Sequence, residues 1–240
     1  MTLDVLPDRT GGAAENMALD FLLLQRYPQA THARFRHYGW HRSSCTFGYS
    51  QKLAFVRAAL PADEPLDLCR RPTGGGIVDH REDWTYSLVI PRGHPLEEQR
   101  ASESYRAIHA CLAAALRAQG LFAALKEACE PPEPGAPSCG PAGVCFQRAE
   151  LYDVIHPATQ EKIAGAAQKR NKHGLLFQGS LWRPALGVAL DDEKLHADFT
   201  AALAETLQSL AEPTPWPDLN EDEVAGLTEQ YSTPEWLEYR

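Results

Sequence analysis

The order of strand-like and helical segments is the feature of this chain that most constrains its fold. Residues 84–90 (WTYSLVI) combine aromatic and β-branched residues and stop at Pro91, which predicts a strand. Similar short runs precede and follow it, whereas helical patterns are few and do not alternate regularly with them. This order predicts an α+β fold with a mixed or antiparallel sheet flanked by helices. The other predicted strands are 33–38, 45–49, 66–70, 150–155, 162–168 and 174–182.

Four segments have the character of helices. The strongest is 102–119, where apolar residues recur at helical spacing, with Ser102 as the predicted N-cap and Gly120 as the stop. We expect one domain over residues 1–212 and a short acidic C-terminal segment, 213–240, packed on the same domain. The other predicted helices are 15–26, 192–210 and 221–230.

Charge is distributed unevenly along the 240 residues. The formal net charge is −9, yet residues 191–240 hold 13 acidic and two basic residues, so residues 1–190 are close to neutral. This balance argues against nucleic acid as a partner. The sequence has no apolar run of the roughly 18–20 residues that a membrane-spanning helix requires, and its first residues lack the pattern of a signal peptide. We therefore expect a cytoplasmic protein with no membrane partner.

The six cysteines include no C-x-x-C pair, so we expect neither a zinc ribbon nor any other metal site. In a reducing compartment, most of them are expected to act as small apolar side chains. Cys145 differs because it follows residues 131–143, a stretch rich in proline and glycine that can present a nucleophile. A nearby cation would lower the pKa of this thiol and make it reactive. A buried, unreactive thiol is the alternative.

The segment RRPTGGGIVDH, residues 70–80, is a candidate ligand-binding turn. Three successive glycines remove every Cβ, so a ligand can approach the backbone and the N–H groups can face an anion. Arg70 and Arg71 add positive charge suited to a carboxylate or phosphate. The spacing fits neither a P-loop nor a dinucleotide-binding motif. A glycine-rich hairpin turn with two solvated arginines is the alternative.

The segment EKIAGAAQKRNK, residues 161–172, is a second candidate. In a regular strand, Lys162, Ala164 and Ala166 share one face, and the small residues leave space for a ligand beside the lysine. A partly desolvated lysine can hold a carboxylate, stabilise a thiolate or act as a base. The alternative is a surface strand that ends in a basic loop.

Three blocks of the sequence together resemble the lipoate and octanoate branch of the biotin- and lipoate-protein ligase and transferase family. Residues 16–20 (NMALD), with Tyr38, Trp40 and the GYSQ of 48–51, are similar to the N-terminal block of that family. RRPTGGGIVDH…WTYSLVIP resembles its glycine block, and EKIAGAAQKR…GLLFQGSLW resembles its lysine block. The resemblance runs from about residue 12 to residue 183 and implies the catalytic-domain fold of these enzymes for residues 1–212.

The resemblance implies an acyltransferase of lipoate assembly. In the cysteine-dependent members, the residues that match Cys145 and Lys162 are the acyl acceptor and its partner. The implied reaction moves an octanoyl or lipoyl group from acyl carrier protein, or from an octanoylated lipoyl-domain protein, to a lysine of a lipoyl domain, without a cofactor. The residues it assigns to substrate binding are Arg70, Arg71, Thr73, Gly74, Gly75, Gly76, His80, Gly165 and Ala166.

Two further roles follow from this mechanism. Backbone N–H groups of residues 74–76 or 165–166 are candidates to steady an oxyanion. Four cations within eleven residues are candidates to dock an acidic carrier, with a solvated basic loop as the alternative. They are Lys162, Lys169, Arg170 and Lys172.

Two other functions remain open. An ATP-dependent lipoate-protein ligase would bind an acyl-adenylate with Lys162 and the glycine turn, would need ATP and Mg²⁺, and would have no role for Cys145. A non-catalytic acyl-binding protein of the same fold is the third possibility. Ligases of the family have an Arg-Asn-Asp-type sequence in place of Val-Cys-Phe at 144–146, and often an accessory domain for which 240 residues leave no room. The chain departs from the family at Gln178, where a histidine is usual, and at Phe21, where an acidic residue is expected.

Overall fold

The computed structural model describes residues 1–60, 64–128 and 148–239. Its strands are β1 (Thr2–Val5), β2 (Arg9–Gly11), β3 (Ala33–Trp40), β4 (Ser44–Phe47), β5 (Asp67–Arg70), β6 (Ile77–Asp79), β7 (Asp83–Pro91), β8 (Ala124–Leu125), β9 (Val154–Ile155), β10 (Lys162–Asn171), β11 (Gly174–Trp182) and β12 (Leu210–Pro213). Its helices are α1 (Ala13–Gln25), α2 (Leu53–Ala59), α3 (Pro95–Glu98), α4 (Ala101–Ala118), α5 (Asp192–Thr206), α6 (Glu221–Ser232) and α7 (Pro234–Leu237), with a 3₁₀ turn at Arg183–Leu186.

Nine of the strands form one mixed sheet in the order β12-β1-β3-β7-β11-β10-β9-β8, with β2 beside β3. The pairs among β12, β1, β3 and β2 are parallel, and those from β3 onward to β8 are antiparallel. A second sheet, β5-β4-β6, carries the glycine turn between β5 and β6. The predicted α+β fold with a mixed sheet is therefore confirmed.

Strand β7 shows how the large sheet separates two sides of the protein. Trp84, Tyr86 and Leu88 belong to the main core, to which α4 and α5 also contribute. The alternate residues point to the other face, where Val89 packs with leucines of α1 and the Ser87 hydroxyl donates to a carboxylate of α1. Both faces are buried, which explains why this strand is so rich in apolar residues.

The predicted element boundaries need correction in several places. The helix predicted at 192–210 ends at Thr206, because Leu210 already belongs to β12. Helix α4 begins at Ala101 with Arg100 as its N-cap, so Ser102 lies inside the first turn instead of capping it. The stop at Gly120 is confirmed, since this residue has φ +80° and its N–H donates to the Arg117 carbonyl oxygen at 2.9 Å. The strand predicted at 150–155 is reduced to β9, because residues 150–153 form a turn.

The C-terminal segment contacts the rest of the chain through α6 and α7. Helix α6 packs on α1, and the Trp236 ring of α7 stacks on Tyr231 with a centroid distance of 4.7 Å. The indole N–H of Trp236 donates to the Arg70 carbonyl oxygen at 2.9 Å. The division expected between residues 212 and 213 falls inside β12. Among the described helices, none combines the length and apolar character needed to cross a bilayer.

We expect the buried His109 of α4 to make the free energy of unfolding depend on pH. Its ring is fully buried, its Nδ1 lies 2.7 Å from the Tyr152 carbonyl oxygen, and burial lowers its pKa below the ordinary value. The unfolded chain takes up a proton near pH 6.5 that the folded chain does not bind, so stability falls as the pH drops below about 6.5. We expect His109→Gln to reduce this loss of unfolding free energy by at most about 1.4 kcal/mol per pH unit. Urea unfolding at a series of pH values measures the loss, and an identical slope in both proteins would contradict the prediction.

Candidate active site

The three glycines of residues 74–76 form a tight turn whose backbone is held by the loop after β4. The N–H groups of Gly48 and Tyr49 donate to the carbonyl oxygens of Gly76 and Thr73, at 3.2 and 2.8 Å. Gly75 adopts φ +88°, and a Cβ on Gly48 would stand only 2.0 Å from the Gly75 carbonyl oxygen. Glycine is therefore required on both sides of this close backbone approach.

The two adjacent arginines have different roles. Arg71 lines the cavity described below, and its guanidinium donates to the carbonyl oxygens of Gly74 and Gly76 at 2.9 and 2.8 Å. Arg70 is fully buried beneath the turn and donates to the carbonyl oxygens of Trp236 and Leu237 at 3.0 and 2.6 Å. The alternative of two solvated arginines is wrong. Arg70 contacts the C-terminal segment instead of the cavity.

His80 lies on the cavity wall within a chain of hydrogen bonds. Its Nδ1 is 2.7 Å from Asp83 Oδ2, which also accepts from the hydroxyls of Thr85 and Ser180 at 2.7 and 2.5 Å. Its Nε2 is 2.7 Å from Thr46 Oγ1. The carboxylate requires a donor at Nδ1, and in the neutral imidazole Nε2 then accepts from the Thr46 hydroxyl. The imidazole is thereby fixed in orientation.

Lys162 is held in a buried ion pair. Its Nζ lies 2.7 Å from Asp153 Oδ2, with 5% and 0% of the two side chains exposed. The pairing of β10 with β9 shifts register between Lys162 and Ala164, which is a bulge, and a Cβ on Gly165 would stand 2.6 Å from Lys162 Nζ. The lysine side chain therefore lies over Gly165, and the register shift interrupts the regular alternation from which the shared face of Lys162, Ala164 and Ala166 was predicted.

Gln178 occupies the position where the family usually has histidine. Its Oε1 accepts from the Thr73 hydroxyl at 2.7 Å, and its Nε2 donates to Asp20 Oδ2 at 2.7 Å. Asp20 in turn forms a fully buried ion pair with Arg36 at 2.7 Å. The Gln178 amide accepts from Thr73 of the glycine turn and donates to Asp20 of α1, so it links the glycine turn to α1.

Residues of all three sequence blocks line one cavity. Thr73, Gly74 and Gly76 lie in the adjoining turn. Of the predicted site residues, those on the cavity wall are Arg71, Gly75, His80, Lys162, Gly165 and Ala166. The wall also includes Met17, Tyr38, Thr46, Val78, Thr85, Ala167, Gln178, Gly179 and Ser180.

One predicted oxyanion donor is already engaged. The Ala166 N–H donates to the Tyr105 hydroxyl oxygen at 3.0 Å. It is therefore not available to steady an oxyanion, contrary to the prediction, although Ala166 does line the cavity.

Cys145 falls within residues 129–147, outside the described residues. The cysteines that the structure describes, Cys45, Cys69 and Cys111, are buried. Burial raises the pKa of Cys45 to about 12 and raises the pKa of Cys69 and Cys111 as well. A thiol in such an environment is a poor nucleophile, so these three act as small apolar side chains.

The four cations predicted to dock an acidic carrier have unequal environments. Lys162 is buried, and Arg170 donates to backbone and side-chain oxygens around α3 and α4. Lys169 Nζ lies 5.6 Å from the centroid of the Tyr49 ring, and Lys172 is exposed. Docking by all four side chains is therefore wrong, because two of them serve internal contacts.

Sequence reasoning assigned no role to three residues that support the site. Asp153 pairs with Lys162, Asp83 orients His80, and the Tyr105 hydroxyl donates to Asp153 Oδ1 at 2.5 Å. Asp83 lies three positions after the predicted turn of residues 70–80, which is a sequence signal for it, whereas Asp153 lies in a predicted strand and has no such signal. Tyr105 was interpreted only as part of the apolar face of its helix.

The chain is similar in sequence to known proteins. The model of the lipoyl protein ligase A/B catalytic domain matches residues 12–211. The octanoyltransferase LipM of Geobacillus kaustophilus is 32% identical over 191 residues, which cover 78% of this chain and 65% of that protein. The octanoyltransferase LipM of Macrococcus caseolyticus is 27% identical over an alignment of 264 positions, gaps included, which covers 94% of each chain. The matched region spans slightly less than two thirds of the first relative's length.

A solved structure supports the same fold. Lipoate-protein ligase A bound with ATP superposes with a TM-score of 0.69 at 19% identity, covering 99% of this chain and 98% of that one. This likeness confirms the fold expected for a lipoate-ligase catalytic domain. Because the family model matches most of the sequence, the chain belongs to the lipoyl protein ligase A/B catalytic domain family.

Proposed function

We propose that this chain is an acyltransferase of lipoate assembly, which moves an octanoyl or lipoyl group to a lysine of a lipoyl domain through a thioester on Cys145. The observation that carries the proposal is the convergence of buried Lys162 and the glycine turn on one cavity. The octanoyltransferase names of the relatives support the choice of acyl group. The donor is acyl carrier protein or an octanoylated lipoyl-domain protein.

The reaction has two steps. The Cys145 thiolate attacks the carbonyl carbon of the donor thioester, the donor's C–S bond breaks, and the donor thiolate leaves and takes up a proton. The amine of the acceptor lysine then attacks the acyl-enzyme, an amide bond forms, and the bond to the Cys145 sulfur breaks. The proton lost by the amine restores the thiol. Neither step consumes a nucleotide, so the proposed reaction needs no cofactor.

Lys162 supplies a fixed positive charge for both steps. An ammonium group near Cys145 stabilises the thiolate and the oxyanion of each tetrahedral intermediate. The backbone N–H groups of residues 74–76 and of Gly165 are the remaining candidate donors to that oxyanion. Arg71 holds this turn by its carbonyl oxygens, which keeps the turn in one conformation.

We infer that the cavity selects the acyl chain through its apolar wall. Apolar atoms of Met17, Val78 and Ala167 contribute to its wall. Burying each methylene group contributes about 0.8 kcal/mol, so binding strengthens with chain length until the cavity is filled. A mechanism that depends on a free thiolate belongs in a reducing compartment, and we place it in the cytoplasm.

Acceptor modification with and without ATP distinguishes this proposal from the ligase alternative, which would use ATP and Mg²⁺. The purified chain is incubated with a lipoyl-domain acceptor and octanoyl-acyl carrier protein, and the acceptor mass is measured. We expect the acceptor to gain one octanoyl group without ATP. Modification that occurs only with ATP, Mg²⁺ and free octanoate would overturn the proposal in favour of a ligase. Octanoate binding with no acceptor modification in either mixture would indicate a non-catalytic acyl-binding protein.

A further inference from the structure

We propose that Asp153 and Tyr105 are positioning residues that fix the Lys162 ammonium in the active site. This inference rests on the proposed function, since it concerns the lysine that would assist Cys145. The two residues come from a turn and from helix α4, and no local sequence pattern connects them with strand β10. The Asp153 carboxylate joins Lys162 and Tyr105 in one cluster of polar contacts.

Asp153 is the centre of the cluster. Its fully buried carboxylate pairs with Lys162 Nζ at 2.7 Å through Oδ2. The same oxygen accepts from the Glu150 N–H at 2.6 Å, and Oδ1 accepts from the Tyr105 hydroxyl at 2.5 Å. The Lys162 ammonium, the Glu150 N–H and the Tyr105 hydroxyl therefore all donate to one carboxylate. The carboxylate keeps its orientation even when the lysine side chain moves.

Tyr105 links this carboxylate to the strand that carries the lysine. Its hydroxyl donates to Asp153 and accepts from the Ala166 N–H at 3.0 Å, so it bridges the turn and β10. Burial raises the pKa of Tyr105 well above its ordinary value, which keeps the hydroxyl protonated as a donor. One hydroxyl group thus sets the distance between Asp153 and the backbone beside Gly165.

The backbone before Asp153 is strained and is held by a second contact. Tyr152 has φ +66°, a left-handed conformation that is unfavourable for a non-glycine residue. Its carbonyl oxygen lies 2.7 Å from His109 Nδ1, and its N–H donates to the Lys126 carbonyl oxygen at 2.7 Å. The surrounding structure maintains this conformation, which directs the Asp153 carboxylate toward Lys162.

The cluster has a distinct electrostatic consequence for a thiolate beside Lys162. Loss of the Tyr105 hydroxyl leaves the Asp153 charge less compensated, which disfavours a nearby thiolate and raises its pKa. Loss of the Asp153 charge removes a nearby negative group and lowers the pKa of the thiol. Both changes also misplace the ammonium, and a displacement of about 1 Å can cost roughly a hundredfold in rate.

The test compares Tyr105→Phe and Asp153→Asn with a matched control, Tyr27→Phe. Tyr27 is buried, and its hydroxyl donates to Asp4 Oδ2 at 2.5 Å, so the control removes the same kind of hydrogen bond outside the active site. The octanoylation rate with octanoyl-acyl carrier protein is measured for each protein. The pH dependence of Cys145 alkylation by iodoacetamide is followed by peptide mass, and circular dichroism verifies folding.

We expect both active-site variants to acylate about tenfold to a hundredfold more slowly than the control. We also expect the alkylation midpoint to move to higher pH in Tyr105→Phe and to lower pH in Asp153→Asn. Folded variants with the rate and midpoint of Tyr27→Phe would overturn the positioning role. If the unaltered chain itself forms no octanoyl adduct, the proposed function fails instead, so the two failures are distinguishable.

Discussion

Replacing Lys162 with methionine is expected to lower the rate of acylation roughly a hundredfold to a thousandfold, the effect of losing a charge that stabilises an oxyanion. Methionine has a similar length and no charge, so Asp153 is left buried without its counter-ion. Removing one partner of a buried pair typically costs about 3–5 kcal/mol of stability. The double variant Lys162→Met with Asp153→Asn removes both charges. It is expected to regain most of that stability but none of the activity.

Urea unfolding and octanoylation kinetics measure these two effects separately. The matched control is Lys194→Met, which removes an exposed ion pair with Asp198 at 2.7 Å on α5. Exposed pairs contribute about 0–1 kcal/mol, so this variant should keep both its stability and its activity. Recovery of activity in the double variant would show that Lys162 acts on folding alone, contrary to our proposal.

Replacing Gly165 with alanine is expected to slow acylation about a hundredfold while the chain remains folded. The new Cβ would stand 2.6 Å from both Cε and Nζ of Lys162 and 3.0 Å from Asp153 Oδ1. The nearest atoms are the end of a flexible side chain, so the lysine can move without displacing the backbone. The ammonium then leaves its position in the active site, and the ion pair is distorted.

The control for this substitution is Gly226→Ala in α6, where an added Cβ meets no atom within 4 Å. Alanine in a helix is favoured over glycine by about 1 kcal/mol, so the control should be equally or more stable and fully active. Thermal melting verifies folding, and the octanoylation rate gives the result. A Gly165→Ala chain as active as the control would contradict the placement of Lys162 over Gly165.

Long strands and helices with a clear hydrophobic periodicity were predictable from the sequence. Short elements that form only by contact with segments distant in the sequence were not. Strand β7 and helix α4 were predicted within a residue or two, because composition and periodicity agree in each. Strands β1 and β12 pair segments more than 200 residues apart over four residues each, too few for a recognisable pattern. The short helix α7 is stabilised by Arg70, a contact that no local sequence feature reveals.

Part of the candidate site was predictable from the sequence for a similar reason. The glycine turn and Lys162 stand in contiguous segments whose residue types already indicate a ligand. Asp153 and Tyr105 acquire their role only when a turn, a helix and a strand meet. Residues 150–155 show the conflict most clearly, because their apolar content favours a strand. The structure has a turn there that brings the Asp153 carboxylate to Lys162.

The intact mass of the chain after exposure to octanoyl-acyl carrier protein, without ATP and without acceptor, tests the central claim most directly. We expect the mass to increase by one octanoyl group that peptide mapping locates on Cys145. Hydroxylamine should remove this group as a thioester, and Cys145→Ala should not acquire it. An octanoyl group on another residue, or an unchanged mass under conditions in which the acceptor is modified, would contradict an acyl-enzyme at Cys145.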